Sequence, residues 1–185
     1  MCQGSRLRVV CLAGPSDAGK TSLVERLVPR LAETGRVATV KSIHHDIEID
    51  TPGTDTHRHR TAGAETVVGV TPALTFEVTT RGKRNPPDPD DAESLLESDD
   101  PEIRALTSSL ERLARCGYDT VIVEGFADAP LPTVLVGDRD ASAVGGTVVG
   151  RGDDPIDELV ETIRGLDKLD ASTDIAEHPS DEPTE

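Results

Sequence analysis

Apolar positions along the chain repeat with two periods, and the switches between them predict its elements. Leu7 to Ala13 is an apolar run of strand length. Leu23, Val24, Leu27, Val28 and Leu31 then return at helical spacing. Pro29 lies inside that helix and removes one of its hydrogen bonds, and Glu33-Thr34-Gly35 supplies a stop. Val37 to Ile43 reads as a strand, followed by a polar, turn-rich stretch from His44 to Thr56. Helical spacing resumes over Arg58 to Val68, with Ala62, Ala64 and Val67 near one face, and Ala73 to Thr79 reads as another strand. Asp100-Pro101-Glu102 opens a helix with Ile103, Leu106, Leu110 and Leu113 as its stripe, ending before Gly117. Tyr118 to Glu124 has the nearly continuous apolar character of a central parallel strand covered on both faces. Two short strands follow, at 133–136 and 147–150, with the Gly145-Gly146 region between them unassigned. A last helix at about 155–165 turns Ile156, Leu159, Val160 and Ile163 inward. Strands alternating with helices predict an α/β fold with a mainly parallel central sheet. One domain is expected over 6–166, carrying an acidic loop insert at 81–101 and an acidic, disordered tail at 167–185.

Composition narrows the function classes. The 185 residues suffice for one domain with a sizeable core, and no apolar run approaches the roughly 18 residues of a membrane span. MCQGSRLR has no secretory pattern. Cys2, Cys11 and Cys116 are odd in number and far apart, which fits a reducing cytoplasm, with Cys11 expected in the core. The formal net charge is −16, which disfavours nonspecific nucleic-acid binding. The tail 167–185 accounts for −6 of this charge and the stretch 81–101 for −4, leaving −6 on the rest. The excess is therefore partly spread. With 2% aromatic residues, this fits adaptation to high intracellular salt, where self-repulsion is screened over about 3 Å at 1 M.

The strongest chemical signal lies between the first strand and the first helix. Gly14-Pro15-Ser16-Asp17-Ala18-Gly19-Lys20-Thr21, followed by Ser22, matches G-x-x-x-x-G-K-[ST] in its strand–loop–helix context. Backbone N–H groups of such a loop cradle phosphates at a positive helix end. Lys20 is expected to bridge the β- and γ-phosphates, and the Thr21 hydroxyl to ligate Mg2+. Glu124, at the end of VIVE, is the candidate acid near that metal or the attacking water. A denser block follows the second strand: Lys41-Ser-Ile-His44-His45-Asp46, then Asp50-Thr-Pro-Gly-Thr-Asp55-Thr56-His57-Arg58-His59-Arg60. It reads as a switch-like segment contacting the γ-phosphate and metal, as a transition-metal site, or as a solvated polar loop. Arg58 and Arg60 are candidates for an anionic ligand.

Taken together, GPSDAGKT, VKSIHHD, DTPGTDT with HRHRTAGA, and VIVEGF resemble the molybdopterin-guanine dinucleotide biosynthesis adaptor family (MobB), over about residues 7–137. Two departures stand out. Ala127 sits where that family commonly has lysine, and Thr56 replaces serine. The resemblance implies a three-layer P-loop NTPase fold and a GTP- and Mg2+-binding accessory protein with weak GTPase activity at most. It also implies a homodimer that partners molybdopterin and the molybdenum cofactor guanylyltransferase. Lys20, Asp50 and Glu124 become the candidate catalytic residues. Gly14 to Ser22, His45 and Arg60 become the nucleotide contacts, and Thr21, Asp46 and Glu124 the metal ligands. No N-K-x-D motif is present, and Asp138 and Asp140 are either base-reading carboxylates or turn acids. A metallochaperone-type GTPase and a P-loop small-molecule kinase are the alternative readings. The charge distribution makes its own prediction: circular dichroism should show loss of structure on dialysis from molar salt into salt-free buffer. A fully folded protein there would exclude the high-salt explanation.

Overall fold

A computed structural model describes residues 5–86 and 94–171. The chain forms β1 (Ser5–Ala13), α1 (Lys20–Leu31), β2 (Val37–Lys41), α2 (Asp55–Thr61), β3 (Thr66–Val70) and β4 (Thr75–Thr79). It continues with α3 (Pro101–Arg115), β5 (Thr120–Glu124), β6 (Thr133–Leu135), β7 (Val148–Arg151), α4 (Ile156–Gly165) and β8 (Leu169–Ala171). The main sheet runs β2-β5-β1-β6-β7, with all of these pairs parallel.

The strand period of two builds the three layers. On β1, Leu7, Val9 and Cys11 face one side and Val10 and Leu12 the other. On β5, Val121 and Val123 join the first set and Ile122 the second. The first face packs on Ile103, Leu106 and Leu110 of α3. The second packs on Leu23, Leu27 and Leu31 of α1 and on Leu159, Val160 and Ile163 of α4. α3 begins at an Asp100 N-cap, whose carboxylate accepts the Glu102 N–H, with Pro101 in its first turn.

Three expectations change. The helix expected over 58–68 is instead α2 followed by β3. Thr54 caps α2, its hydroxyl accepting the His57 N–H, and Gly63 ends the helical path at φ +110°. The β-branched run Thr66-Val67-Val68 then pairs antiparallel with β4. That pair is a separate two-stranded sheet, which alternation alone did not predict. The tail expected from 167 begins with order: β8 pairs antiparallel with Ser5–Leu7, and Arg6 bonds Asp170 at 3.0 Å. The rest of that tail, and 87–93 of the acidic insert, lie outside the described residues.

The layering fixes which truncations matter. Leu110→Ala, at 0% exposure between α3 and the sheet, should cost about 2–5 kcal/mol. Leu74→Ala, at 57% exposure, should stay within about 0.5 kcal/mol. Urea denaturation of the two variants checks the contrast.

Candidate functional site

β1 is held at its C-terminal end by β6, with the Val136 N–H donating to the Ala13 carbonyl at 2.8 Å. The chain then leaves the sheet at Gly14, where a Cβ would lie 2.1 Å from the Val136 carbonyl oxygen, so only glycine passes. Asp17 at φ 60° and Gly19 at φ 93° reverse the path in left-handed conformations, and α1 starts at Lys20 with no side-chain cap. The first N–H groups of α1 therefore have neither helical nor side-chain acceptors and point into the turn. Lys20 folds back over the loop, its Nζ donating to the carbonyls of Gly14 at 2.9 Å and Pro15 at 2.5 Å.

A cavity of about 670 Å³ opens beside this loop. Gly14, Ser16, Asp17, Gly19, Lys20, Thr21 and Ser22 line one side of it. Lys41, Ser42 and His44 enter from the end of β2, and Glu124, Gly125 and Ala127 from the end of β5. Lys41 and Glu124 are register partners, and their side chains meet at 3.0 Å, with the Glu124 carboxylate only 13% exposed. Arg139 also lines the cavity, while its guanidinium donates to the Ala143 carbonyl at 2.7 Å. Ala127 is thus at the cavity and brings a methyl group.

The remaining sequence candidates are placed elsewhere. Ala18 lines a cavity of about 370 Å³ with Arg26, Asp138 and Asp153. Asp140 caps the short 3-10 turn Ala141–Ala143, its carboxylate accepting the Ser142 N–H. That bond and the Ser142 hydroxyl hold its carboxyl below the usual range, and Asp140 is therefore a turn acid here. Asp50 accepts the Thr54 hydroxyl at 3.0 Å, and hydrogen bonding from Thr56 and Thr54 lowers its pKa. Arg60 Nη2 donates to both Glu48 carboxylate oxygens at 2.6 Å, with His57 Nε2 at 3.7 Å from the same group. Asp50 and Arg60 thus fasten the 48–60 segment to itself and do not line the loop cavity. His45 and Asp46 line a neighbouring cavity of about 530 Å³, and Asp46 pairs with Arg84 at 3.0 Å.

A small polar cluster separates the two cavities. The Ser42 hydroxyl donates to Glu102 at 2.7 Å, and Lys83 Nζ bonds both Ser42 Oγ and Glu102, the latter at 2.8 Å. Burial pushes the Glu102 carboxyl up, but the bonds from Lys83 and Ser42 outweigh it and hold the group below its ordinary value. Sequence reasoning placed Lys41, Ser42 and His44 in the switch-like block without individual roles, and gave none to Lys83, Glu102 or Arg139. Lys41 carried a signal, because it ends its strand as Glu124 ends VIVE. The Ser42–Lys83 contact spans 41 positions and carried none. Cys11 is inert: burial pushes its thiol up to about 11.

Among the described residues, no group of three or more His, Cys, Asp and Glu side chains is arranged to hold a metal ion. No helix among them is long and apolar enough to cross a membrane.

The family model described as Molybdopterin guanine dinucleotide synthesis protein B matches residues 9–144. The chain is 27% identical to the molybdopterin-guanine dinucleotide biosynthesis adapter protein of Haemophilus influenzae, over 71% of this chain and 64% of that protein. A putative adapter protein of the same name from Methanocaldococcus jannaschii is 30% identical, over 74% of this chain and 50% of that one. The chain thus spans less than two thirds of these relatives. The crystal structure of Bacillus subtilis MobB superposes with a TM-score of 0.58 at 22% identity, covering 86% of this chain and 99% of that chain. A MobB homologue from Bacillus stearothermophilus gives 0.53 at 20% identity. These two likenesses establish the fold.

Because the Glu102 carboxyl is lowered, its stabilisation is full above the ordinary glutamate pKa and is lost as pH falls through the folded-state value. The side chain is 36% exposed, so screening reduces the effect. Glu102→Gln should cost about 0.5–1 kcal/mol near neutral pH. In urea melts at falling pH, the difference from the parent should close in acid.

Proposed function

The chain belongs to the molybdopterin guanine dinucleotide synthesis protein B family, and from that premise we propose that it is a GTP-binding adaptor in the formation of molybdopterin guanine dinucleotide. The observation that carries the reading is the single cavity joining the uncapped start of α1, Lys20, Thr21 and Glu124. In this proposal the backbone of Gly14 to Thr21 cradles the phosphates, and Lys20 exchanges its two carbonyl acceptors for phosphate oxygens. The Thr21 hydroxyl and the Glu124 carboxylate are hard oxygen donors lining the same cavity, and the donor set fits Mg2+ with several waters retained. The metal would neutralise developing charge on the phosphates. Lys41 holds the Glu124 side chain in place.

Any hydrolysis is slow in this reading. Arg139, at the cavity, is held by the Ala143 carbonyl, and without an arginine finger switch-type rates are on the order of 10⁻⁴ s⁻¹. Roles for His45, Asp46, Asp50 and Arg60 would require the 44–60 segment to swing toward the loop, as switch regions do. The proposal includes a guanylyltransferase partner, molybdopterin as the pathway ligand and a homodimer, after the family resemblance, and a cytoplasmic, high-salt setting, after the cysteine usage and the net charge of −16. The kinase alternative calls for arginines closing over the phosphates, whereas Arg81 and Arg84 line the neighbouring cavity.

Titration calorimetry with GTP, ATP and a molybdopterin-type ligand tests the proposal. GTP should bind in preference to ATP, and Lys20→Ala should weaken it roughly 10- to 100-fold, the worth of a charge-assisted contact. Equal affinity for both nucleotides would remove the guanine assignment. Stoichiometric nickel or zinc in equilibrium dialysis would favour the metallochaperone alternative.

A further inference from the structure

The second cavity is richer in bases than the chain as a whole. The protein carries a net charge of −16, yet Arg81, Lys83 and Arg84 converge here with His44 and His45, against Asp46 and Glu102. We propose that this cavity is an anion subsite for a phosphate monoester, separate from the phosphate loop and present whichever nucleotide that loop takes. Its volume of about 530 Å³ is in the range of small-molecule sites.

Each of the three cations is paired with one carboxylate: Lys83 with Glu102, Arg84 with Asp46 and Arg81 with Glu65. Glu102 is neutralised in place: Lys83 and Ser42 occupy the same carboxylate oxygen, and Lys83 also lies 5.4 Å from the centre of the Phe126 ring. Asp46 is the other acid of the lining, and its pairing with Arg84 is exposed at both ends, at 85% and 84%. Exposed pairs of this kind contribute about 0–1 kcal/mol, so a phosphate dianion displaces Asp46 from a guanidinium that offers five donors. Arg81 engages Glu65, which lies outside the lining, through Nε at 3.1 Å. Its terminal nitrogens extend the same fork. His44 and His45 add ring N–H donors in either protonation state.

The global acidity selects the class of ligand. A polyanion would lie along the whole repelling surface, whereas charges beyond about 8–10 Å are screened from a single phosphate group at moderate salt. The wall also gives the site a place relative to the first cavity. Ser42 and His44 line the loop cavity, Lys83 and Glu102 line this one, and Ser42 bonds both of the latter. Two phosphorylated molecules would sit back to back across that wall, with His44 touching each.

The probe is phenyl phosphate, titrated at constant ionic strength into the full-length ¹⁵N-labelled protein and followed by amide shifts. Saturating shifts at His45, Gly82 and Asn85 that persist in Lys20→Ala are expected. Arg81→Ala with Arg84→Ala should weaken them roughly tenfold or more. Arg84 is 84% exposed and Arg81 34% exposed, and retained dispersion of the β5 amides confirms that the double variant folds. Arg84→Gln alone gives a second reading, with a smaller loss. Shifts confined to Gly14–Ser22, shifts that disappear in Lys20→Ala, or full binding by the double variant would each overturn the proposal. Failure of GTP to bind would count against the adaptor reading and leave these shifts in place.

Discussion

The register of three parallel strands is the constraint on which the site depends. Leu12 of β1 lies opposite Glu124 of β5, which lies opposite Lys41 of β2. The strands therefore end at one level, and the chain leaves each of them into the same space. Gly14, Ser42 and Gly125 follow within two residues of those ends. A one-residue slip of β5 would turn the Glu124 side chain to the opposite face and place apolar Val121 and Val123 on the wrong layer. Burial of Val121, Ile122 and Val123, each at 0% exposure, is what forbids the slip. Hydrophobic packing in the middle of the sheet thereby fixes the level at which the Glu124 carboxylate leaves it.

The electrostatics follow a comparable division. Acidic residues dominate the composition, but the bases that matter are held by short, specific contacts. Lys20 lies on two backbone carbonyls, Lys41 on Glu124 and Lys83 on Glu102. Each ammonium is kept within reach of a cavity while its usual partner is weak, shared or displaceable. A surface of general negative potential with a few fixed positive points discriminates by size as well as by charge.

The layers were legible because they follow from periodicity. The TVIVE run, the Leu106 and Leu110 stripe and the loop's glycine spacing each state a local requirement that tertiary packing leaves intact. The hairpin of β3 and β4 was not legible. Ala62, Ala64 and Val67 happen to fit a helical face, and nothing nearby announces that Gly63 ends the helix with φ +110°. The loop octet was legible as a motif. The polar wall of Ser42, Lys83 and Glu102 joins three separate stretches of the chain, and no single stretch carries its pattern. Asp50 and Arg60 show the converse: residues rich in chemistry were used to tie one segment to itself.

The pairing of β1 gives the molecule an order of assembly. β1 receives its inner neighbour from residues 120–124, its other parallel neighbour from 133–135, and the antiparallel partner of its first residues from 169–171. Synthesis thus exposes the phosphate loop well before its neighbouring strands, on a strand with no sheet to join. Contacts of such long sequence separation form slowly, and their apolar strands remain sticky meanwhile. Ligand competence arrives only after residues 120–135 have been made. During that interval β1, apolar from Val9 to Ala13, stays unpaired.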